Sequence, residues 1–183
     1  MRRAVFLDRD GVVNRAFLRE GKPYPPPALA DLRVLPGVRE ACRKLREAGF
    51  ALILITNQPD IARGTVPAGE VAEMHTRLQR FLQLDDIRVC PHDDQDQCEC
   101  RKPKPGLLLE AAKHWNIDLA ASYIIGDRWR DVEAGQRAGC RPLFIDYGYR
   151  ERQPHGAFLR VGSLADAANW ILRTLQMGLL SHA

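Results

Sequence analysis

The sequence lacks long apolar runs and dense blocks of basic residues. No segment approaches the length of apolar chain that a membrane span needs, so we expect no membrane partner. The apolar run before Asp8 has only four residues, 4–7, which is too few for a signal-peptide core, and this predicts a cytoplasmic protein. The formal charge of +4 is spread along the chain. It suits small anionic ligands as readily as nucleic acid.

Cysteine is scarce, and its distribution argues against a disulfide framework. The chain has 5 cysteines, an odd number, and three of them fall between residues 90 and 100. This clustering favours metal binding in a reducing compartment. Cys42 lies on an apolar helical stripe and Cys140 just past a predicted helix, so we assign neither a function. Without internal repeats or low-complexity segments, residues 1–183 are expected to form a single domain and a monomer.

Short apolar runs alternate with segments of helical periodicity. Strands are predicted at 4–7, 51–56, 87–89, 123–125 and 142–145. Helices are predicted over 36–48, 67–82, 105–115 and 129–138, and a last one is capped by Ser163, with a tail from about Met177. This alternation predicts βαβ units and therefore an α/β fold with a parallel sheet.

Polar residues follow the predicted strands at the point where each strand ends. Asp8-Arg9-Asp10-Gly11 follows the first strand, Thr56-Asn57-Gln58 the second and Gly126-Asp127 a later one, while Arg101-Lys102 precedes a helix. Taken alone, the first of these is equally typical of a turn. The carboxyl ends of parallel strands meet at one edge of a sheet, so we expect the four groups to converge there.

Such an assembly of carboxylates, a hydroxyl and an ammonium suits phosphoryl transfer. Asp8 would attack phosphorus to form an aspartyl-phosphate. Asp10 would protonate the leaving oxygen and later activate water. Thr56 and Lys102 would hold the phosphoryl oxygens, and Asp127 would complete a site for Mg²⁺.

In order and residue type these motifs resemble those of the haloacid dehalogenase-like phosphatases. The motifs are Asp-x-Asp-Gly at 8–11, Thr56, Lys102, and Gly126-Asp127 with Asp131 following. The resemblance implies a Rossmann-like parallel sheet with helices on both faces. It also implies Mg²⁺ bound by Asp8, the main-chain carbonyl of Asp10, and Asp127, with Asp131 as a helix-start acid rather than a ligand. Segments 11–55 and 57–101 are too short for a large cap domain, so we expect a capless, open site.

A second motif has the spacing of a metal site. Cys90, His92, Cys98 and Cys100 supply three thiolates and one imidazole, the donor set of a closed, structural, tetrahedral Zn²⁺ site. Zinc would then fix the conformation of an acidic loop that has little apolar surface with which to pack against the rest of the protein. Free cysteines in an ordinary loop are the alternative.

The zinc loop narrows the resemblance to two groups of relatives. These are the D-glycero-D-manno-heptose 1,7-bisphosphate 7-phosphatases and the histidinol-phosphate phosphatases. The segments 56–64 and 102–106 resemble the heptose enzymes, whereas the gap between His92 and Cys98 resembles the histidinol enzymes. The balance favours a small phosphorylated sugar, the heptose bisphosphate, as substrate.

The same resemblance implies which residues contact the substrate. They are Asn57, Gln58, Arg101 and Arg128, with the two arginines available to a second phosphate. Exposed surface arginines are the alternative. Two departures weaken the match: Asp60 stands where the family usually has Gly, and the segment 16–19 differs from the heptose enzymes, which leaves the preferred anomer open.

Two functions of other classes fit part of the sequence. A non-catalytic zinc module that binds nucleic acid fits the charge and the zinc motif, but it does not explain the polar groups at the strand ends. A nucleic-acid 3′-phosphatase would share the segment 56–58, yet the chain lacks a Gly-x4-Gly-Lys-Ser/Thr kinase loop and a basic stripe with interleaved aromatics. We therefore expect no nucleic-acid partner.

Overall fold

The computed structural model describes residues 1–180. Its elements in chain order are β1 (Arg3–Leu7), β2 (Phe17–Arg19), β3 (Lys22–Tyr24), α1 (Val38–Glu47), β4 (Phe50–Asn57), α2 (Ala68–Leu82), β5 (Asp86–Cys90), α3 (Gly106–Trp115), β6 (Tyr123–Gly126), α4 (Trp129–Ala138), β7 (Arg141–Ile145), β8 (Leu159–Val161) and α5 (Leu164–Leu180). None of these helices combines the length and apolarity that crossing a membrane would require.

The main sheet is parallel, in the order β5-β4-β1-β6-β7-β8. β1 lies at its centre, and Leu7 pairs with Leu54 on one side and Ile125 on the other. The chain runs outward from β1 in one direction and then returns to build the other half. In open α/β sheets, ligands bind at the carboxyl ends of strands where the order reverses in this way.

Helices cover both faces of the sheet, which confirms the predicted fold class. Side chains of β1 alternate between the faces, so that Val5 and Leu7 contact the core under α1, α2 and α5. Ala4 and Phe6 contact the second core, under α3 and α4. Each face is therefore shielded from water, as a parallel sheet requires.

Two features of the structure were missing from the predicted elements. β2 and β3 form an antiparallel hairpin within a segment that was predicted to be irregular, and β8 adds a sixth strand to the sheet. Each of these strands has only three residues, with exposed or half-buried side chains, and so lacks an apolar run. The hairpin is small, in keeping with a capless fold.

The carboxyl-terminal region also differs from the prediction. Helix α5 continues through Leu180, past the expected start of a tail at about Met177. Residues 181–183, the remainder of that predicted tail, lie outside the described residues. Ser163 does cap this helix, because its hydroxyl accepts a hydrogen bond from the Asp166 amide at 3.1 Å.

Candidate active site

The loop after β1 is folded tightly against β6 and its carboxyl end. The Asp8 amide donates to the carbonyl of Ile125 at 2.9 Å, which extends the sheet to the first acid. Gly11 follows with a φ of +86°, and a Cβ there would lie 1.9 Å from Asp127 Oδ2. Only glycine permits both the backbone angle and this approach. Gly11 therefore allows the loop that carries Asp8 to lie close to Asp127, the other predicted side-chain ligand of the metal.

Lys102 is the buried cation at the centre of the site. Its ammonium donates to Asp8 Oδ1 at 2.7 Å and to the carbonyl of Ile55 at 3.0 Å, and it pairs with Asp131 Oδ1 at 2.5 Å. The Asn57 side chain fixes the lysine main chain, donating to its carbonyl at 3.0 Å and accepting from its amide at 3.1 Å. Asn57, predicted to contact substrate, thus has both ends of its amide bonded to Lys102.

Three carboxylates converge around this single ammonium. Oxygen atoms of Asp8, Asp127 and Asp131 all lie within 4.8 Å of one another, and all three residues are buried. Burial raises the pKa of Asp8 to about 6, although the nearby Lys102 lowers it. Burial also raises the pKa of Asp127 well above its ordinary value, and the charges of Asp8 and Asp131 add to this. Negative charge is therefore in excess.

This excess fits a divalent cation. Asp127 Oδ1 is buried and has no hydrogen-bond partner among the described residues, as expected of an oxygen reserved for a metal. Hard carboxylate oxygens are the ligands that Mg²⁺ takes. Asp131 belongs to the same group of carboxylates, and it also accepts from the Arg128 amide at 3.0 Å in the first turn of α4.

Asp10 is held from behind by three side chains. Arg9 donates to both of its oxygens, at 3.1 Å from Nε to Oδ1 and 3.0 Å from Nη2 to Oδ2. Asn14 donates to Oδ1 and Gln58 to Oδ2, each at 2.9 Å. The carboxylate still borders the cleft. Gln58 itself is buried and is not among the residues that line the cleft, in contrast to its predicted contact with substrate.

A cleft of about 350 Å³ opens over Asp8, Asp10, Thr56 and Lys102. The predicted residues Asn57, Arg101 and Arg128 all line it. Its basic side chains are Lys22, Arg63, Arg101, Lys102, Arg128 and Arg130. The hairpin β2–β3 forms one wall, through residues 22–25. The structure therefore gathers the predicted catalytic residues beneath an opening lined by six basic and five acidic side chains.

The two predicted substrate arginines are held at the wall by acids. Arg101 donates to Asp94 at 2.8 Å and to the carbonyl of His92 at 3.1 Å. Arg128 makes a forked contact with Glu151. Neither is a free surface arginine, which was the alternative reading of the sequence.

The four predicted zinc ligands form one cluster at the end of β5. Cys100 Sγ lies 3.2 Å from Cys90 Sγ and 3.4 Å from Cys98 Sγ, and His92 Nδ1 lies 3.3 Å from Cys100 Sγ. A tetrahedral zinc ion separates its sulfurs by roughly 3.8 Å. The three sulfurs here lie 3.2–3.6 Å apart, so the cluster is compact enough for one ion to reach all of its donors, and the donor set is one that zinc takes. The His92 carbonyl that accepts from Arg101 belongs to the same loop, which links the cluster to the cleft.

Two tyrosines in the loop after β7 belong to the site but were not predicted from the sequence. Tyr149 donates to Asp127 Oδ2 at 2.8 Å, and Tyr147 donates to the Gly11 carbonyl at 3.0 Å. The rings stack with centroids 5.6 Å apart. Burial, with the charge of Asp127, raises the pKa of Tyr149, so its hydroxyl stays a donor. No motif marks these tyrosines, because only the fold brings their loop to Asp127.

Comparison with known proteins places this arrangement in a family. Residues 24–139, which include Thr56, Lys102 and Asp127, match a model of haloacid dehalogenase-like hydrolases. The chain belongs to the haloacid dehalogenase-like hydrolases. This confirms the resemblance drawn from its motifs, and the family fold agrees with the parallel sheet and the position of the site.

Relatives within this family carry more specific names. The chain is 40% identical over 149 residues to the D-glycero-β-D-manno-heptose-1,7-bisphosphate 7-phosphatase of Yersinia pestis, covering 74% of this chain and 75% of that protein. It is 32% identical over 186 residues to the enzyme of that name from Escherichia coli K12, covering 94% and 89%.

A solved structure gives the same result. The D,D-heptose 1,7-bisphosphate phosphatase from Bordetella bronchiseptica, crystallised with magnesium and phosphate, matches with a TM-score of 0.83 and 30% identity. The match covers 94% of this chain and 99% of that one.

Proposed function

We propose that this protein is a Mg²⁺-dependent phosphatase that releases the 7-phosphate of D-glycero-D-manno-heptose 1,7-bisphosphate. The observation that carries the proposal is that the Asp8 carboxylate lies beside Asp127 and is bonded to Lys102, at the base of a cleft that Asp8 and Lys102 line. The names of the relatives from Yersinia pestis and Escherichia coli support the choice of substrate.

The catalytic steps follow from the positions of two acids. The Asp8 carboxylate attacks phosphorus, the bond to the sugar oxygen breaks, and an aspartyl-phosphate remains. Asp10 gives its proton to the departing oxygen. In the second step Asp10 takes a proton from water, the water oxygen attacks phosphorus, and the Asp8 carboxylate is released with inorganic phosphate.

Charge around the phosphoryl group is balanced by nearby residues. The Lys102 ammonium, already 2.7 Å from Asp8, and the Thr56 hydroxyl bind the phosphoryl oxygens. Asp8, Asp127 and the main chain of Asp10 would hold Mg²⁺, which neutralises the charge shared by nucleophile and phosphate. Zn²⁺ at the four-residue cluster is structural, because all four of its ligands are protein side chains.

The wall of the cleft suits a second phosphate. Arg101 and Arg128 line it, and although Asp94 and Glu151 already bond part of each guanidinium, the remaining N–H groups are available to bind phosphate. Because Asn57 holds the main chain of Lys102, it acts on the phosphoryl group through that lysine as well as lining the cleft. A substrate with two separated phosphates uses both ends of this cleft.

The experiment is a comparison of phosphate release from α- and β-heptose 1,7-bisphosphate and from histidinol phosphate, with and without Mg²⁺. We expect preference for a heptose anomer, loss of activity without divalent metal, and loss of activity in Asp8→Asn. Glu110→Gln, at an exposed position of α3, serves as the control for removal of a carboxylate. Preference for histidinol phosphate would mean that the proposed substrate is wrong, although the mechanism would stand. Activity retained in Asp8→Asn would overturn the mechanism.

A further inference from the structure

Arg9, the residue between the two catalytic acids, is fully buried. None of its surface is exposed, although it carries the largest side chain of the fully buried set. Its guanidinium contacts three side chains: Asp10, Gln58 and His75. A buried arginine needs acceptors for its donors, and here one acceptor is the catalytic carboxylate.

His75 supplies the acceptor on the far side of the guanidinium. It lies on the buried face of α2, and its Nε2 is 3.1 Å from Arg9 Nη1. Arginine only donates hydrogen bonds, so Nε2 must accept and the ring must be neutral, with its proton on Nδ1. Burial lowers the pKa of His75 to about 4, and the positive charge of Arg9 adds to this, so the ring stays neutral near pH 7.

The contacts form a chain from α2 to the cleft. His75 Nε2 accepts from Arg9 Nη1, and the Nε and Nη2 groups of the same guanidinium donate to the two oxygens of Asp10. Gln58 bridges the same groups, accepting from Arg9 Nη2 at 2.9 Å and donating to Asp10 Oδ2 at 2.9 Å. Asn14 also donates to Asp10 Oδ1, but Arg9 bonds both oxygens, so the orientation of the carboxylate toward the cleft depends in large part on where the guanidinium is held.

We propose that His75 is a positioning residue for proton transfer, acting through Arg9 to aim the Asp10 carboxylate at the leaving oxygen. This rests on the proposed function, in which Asp10 is the general acid. Removal of the imidazole leaves Nη1 buried without its partner, and the guanidinium shifts toward other acceptors. The Asp10 carboxylate then moves with it, while Asp8, Lys102, Asp127 and the main chain of Asp10 keep their places.

The test compares two variants on two substrates. His75→Leu removes the acceptor, whereas His75→Gln supplies an amide oxygen that reaches the position of Nε2. Heptose 1,7-bisphosphate has a poor leaving group that needs a proton, but p-nitrophenyl phosphate has a good one that does not. Because kcat/KM reports the first irreversible step, it isolates the step in which Asp10 acts as an acid.

We expect His75→Leu to lower kcat/KM for the sugar bisphosphate by about 100-fold, within the range of a lost general acid. The loss with p-nitrophenyl phosphate should be no more than about threefold by the same argument. His75→Gln should recover most of the sugar activity. Leu78→Ala, a core substitution on the same helix, controls for destabilisation and should affect both substrates alike.

Equal losses on the two substrates in His75→Leu, or no recovery in His75→Gln, would overturn the proposal. Asp10→Asn is included to separate this outcome from failure of the proposed function. If Asp10→Asn shows the substrate-dependent loss and His75→Leu does not, only the role of His75 is wrong. If Asp10→Asn shows no such loss, the assigned role of Asp10 fails first and the proposal fails with it.

Discussion

Replacement of Asp8 by Asn is expected to change how the stability of the magnesium-free protein depends on pH. Asp8 is buried, and burial raises its pKa from 3.8 to about 6 in the folded chain. Between these values the folded chain keeps a proton that the unfolded chain has lost. The free energy of unfolding therefore falls as pH rises through this window.

The magnitude follows from the two pKa values. The difference between 3.8 and about 6 corresponds to about 3 kcal/mol of stability lost by the wild type between pH 4 and pH 8. Asn cannot ionise, so Asp8→Asn avoids this loss. Its free energy of unfolding, relative to that of the wild type, should rise by about 3 kcal/mol across the same range.

The assay is urea unfolding followed by tryptophan fluorescence, in magnesium-free buffers from pH 4 to pH 8. Glu110→Gln, which removes an exposed carboxylate, should track the wild type at every pH. Added Mg²⁺ should stabilise the wild type more at pH 8 than at pH 5, because the metal binds the ionised carboxylates. Asp8→Asn should respond much less to the metal.

A flat difference between Asp8→Asn and wild type across this range would refute the reasoning. So would a decline in the relative stability of Asp8→Asn as pH rises. Either result would mean that the folded chain ionises Asp8 without cost, and the site would then have no need of a cation beyond Lys102.

Three further changes test the rest of the site. Gly11→Ala should lower kcat by about 100-fold, because the added methyl group displaces Asp127. Gly49 has the same φ of +86° but open space around it, so Gly49→Ala should keep full activity. Similar kcat values in the two variants would contradict this. Cys98→Ser should release the bound zinc, measured by atomic absorption, and lower the melting temperature; unchanged zinc content would exclude the four-residue site. Tyr149→Phe should raise the Mg²⁺ concentration for half-maximal activity about tenfold, and an unchanged value would mean that its bond to Asp127 does not orient the ligand.

Much of the sheet was predictable because its central strands are buried on both faces. Such strands read as continuous apolar runs, as in Ala4–Leu7 and residues 51–55, and polar residues mark their ends. The hairpin β2–β3 and strand β8 were not predictable in this way. The hairpin is a separate two-stranded sheet and β8 is the edge strand of the main sheet, and neither needs many apolar residues. Apolar patterns in a sequence identify strands whose side chains are buried, and the side chains of these three strands are exposed or half-buried.

The site divides in the same way. Asp8, Lys102 and Asp127 were brought together as predicted, because each follows or precedes an element whose end is defined by its pattern. Gln58 was predicted to face substrate, but it lies beneath the cleft, and no local pattern distinguishes these orientations. His75 did leave a signal: it stands on the helical stripe of Val71, Leu78 and Leu82, where a polar residue needs a buried partner.

The central claim is that Asp8 becomes phosphorylated during turnover. The direct measurement is rapid acid quench of a single turnover with substrate that carries a radiolabelled 7-phosphate, followed by peptide mapping of the protein. We expect transient label on the peptide that contains Asp8, formed before free phosphate and absent in Asp8→Asn. Release of labelled phosphate with no labelled protein at any time, or label on another residue, would contradict it.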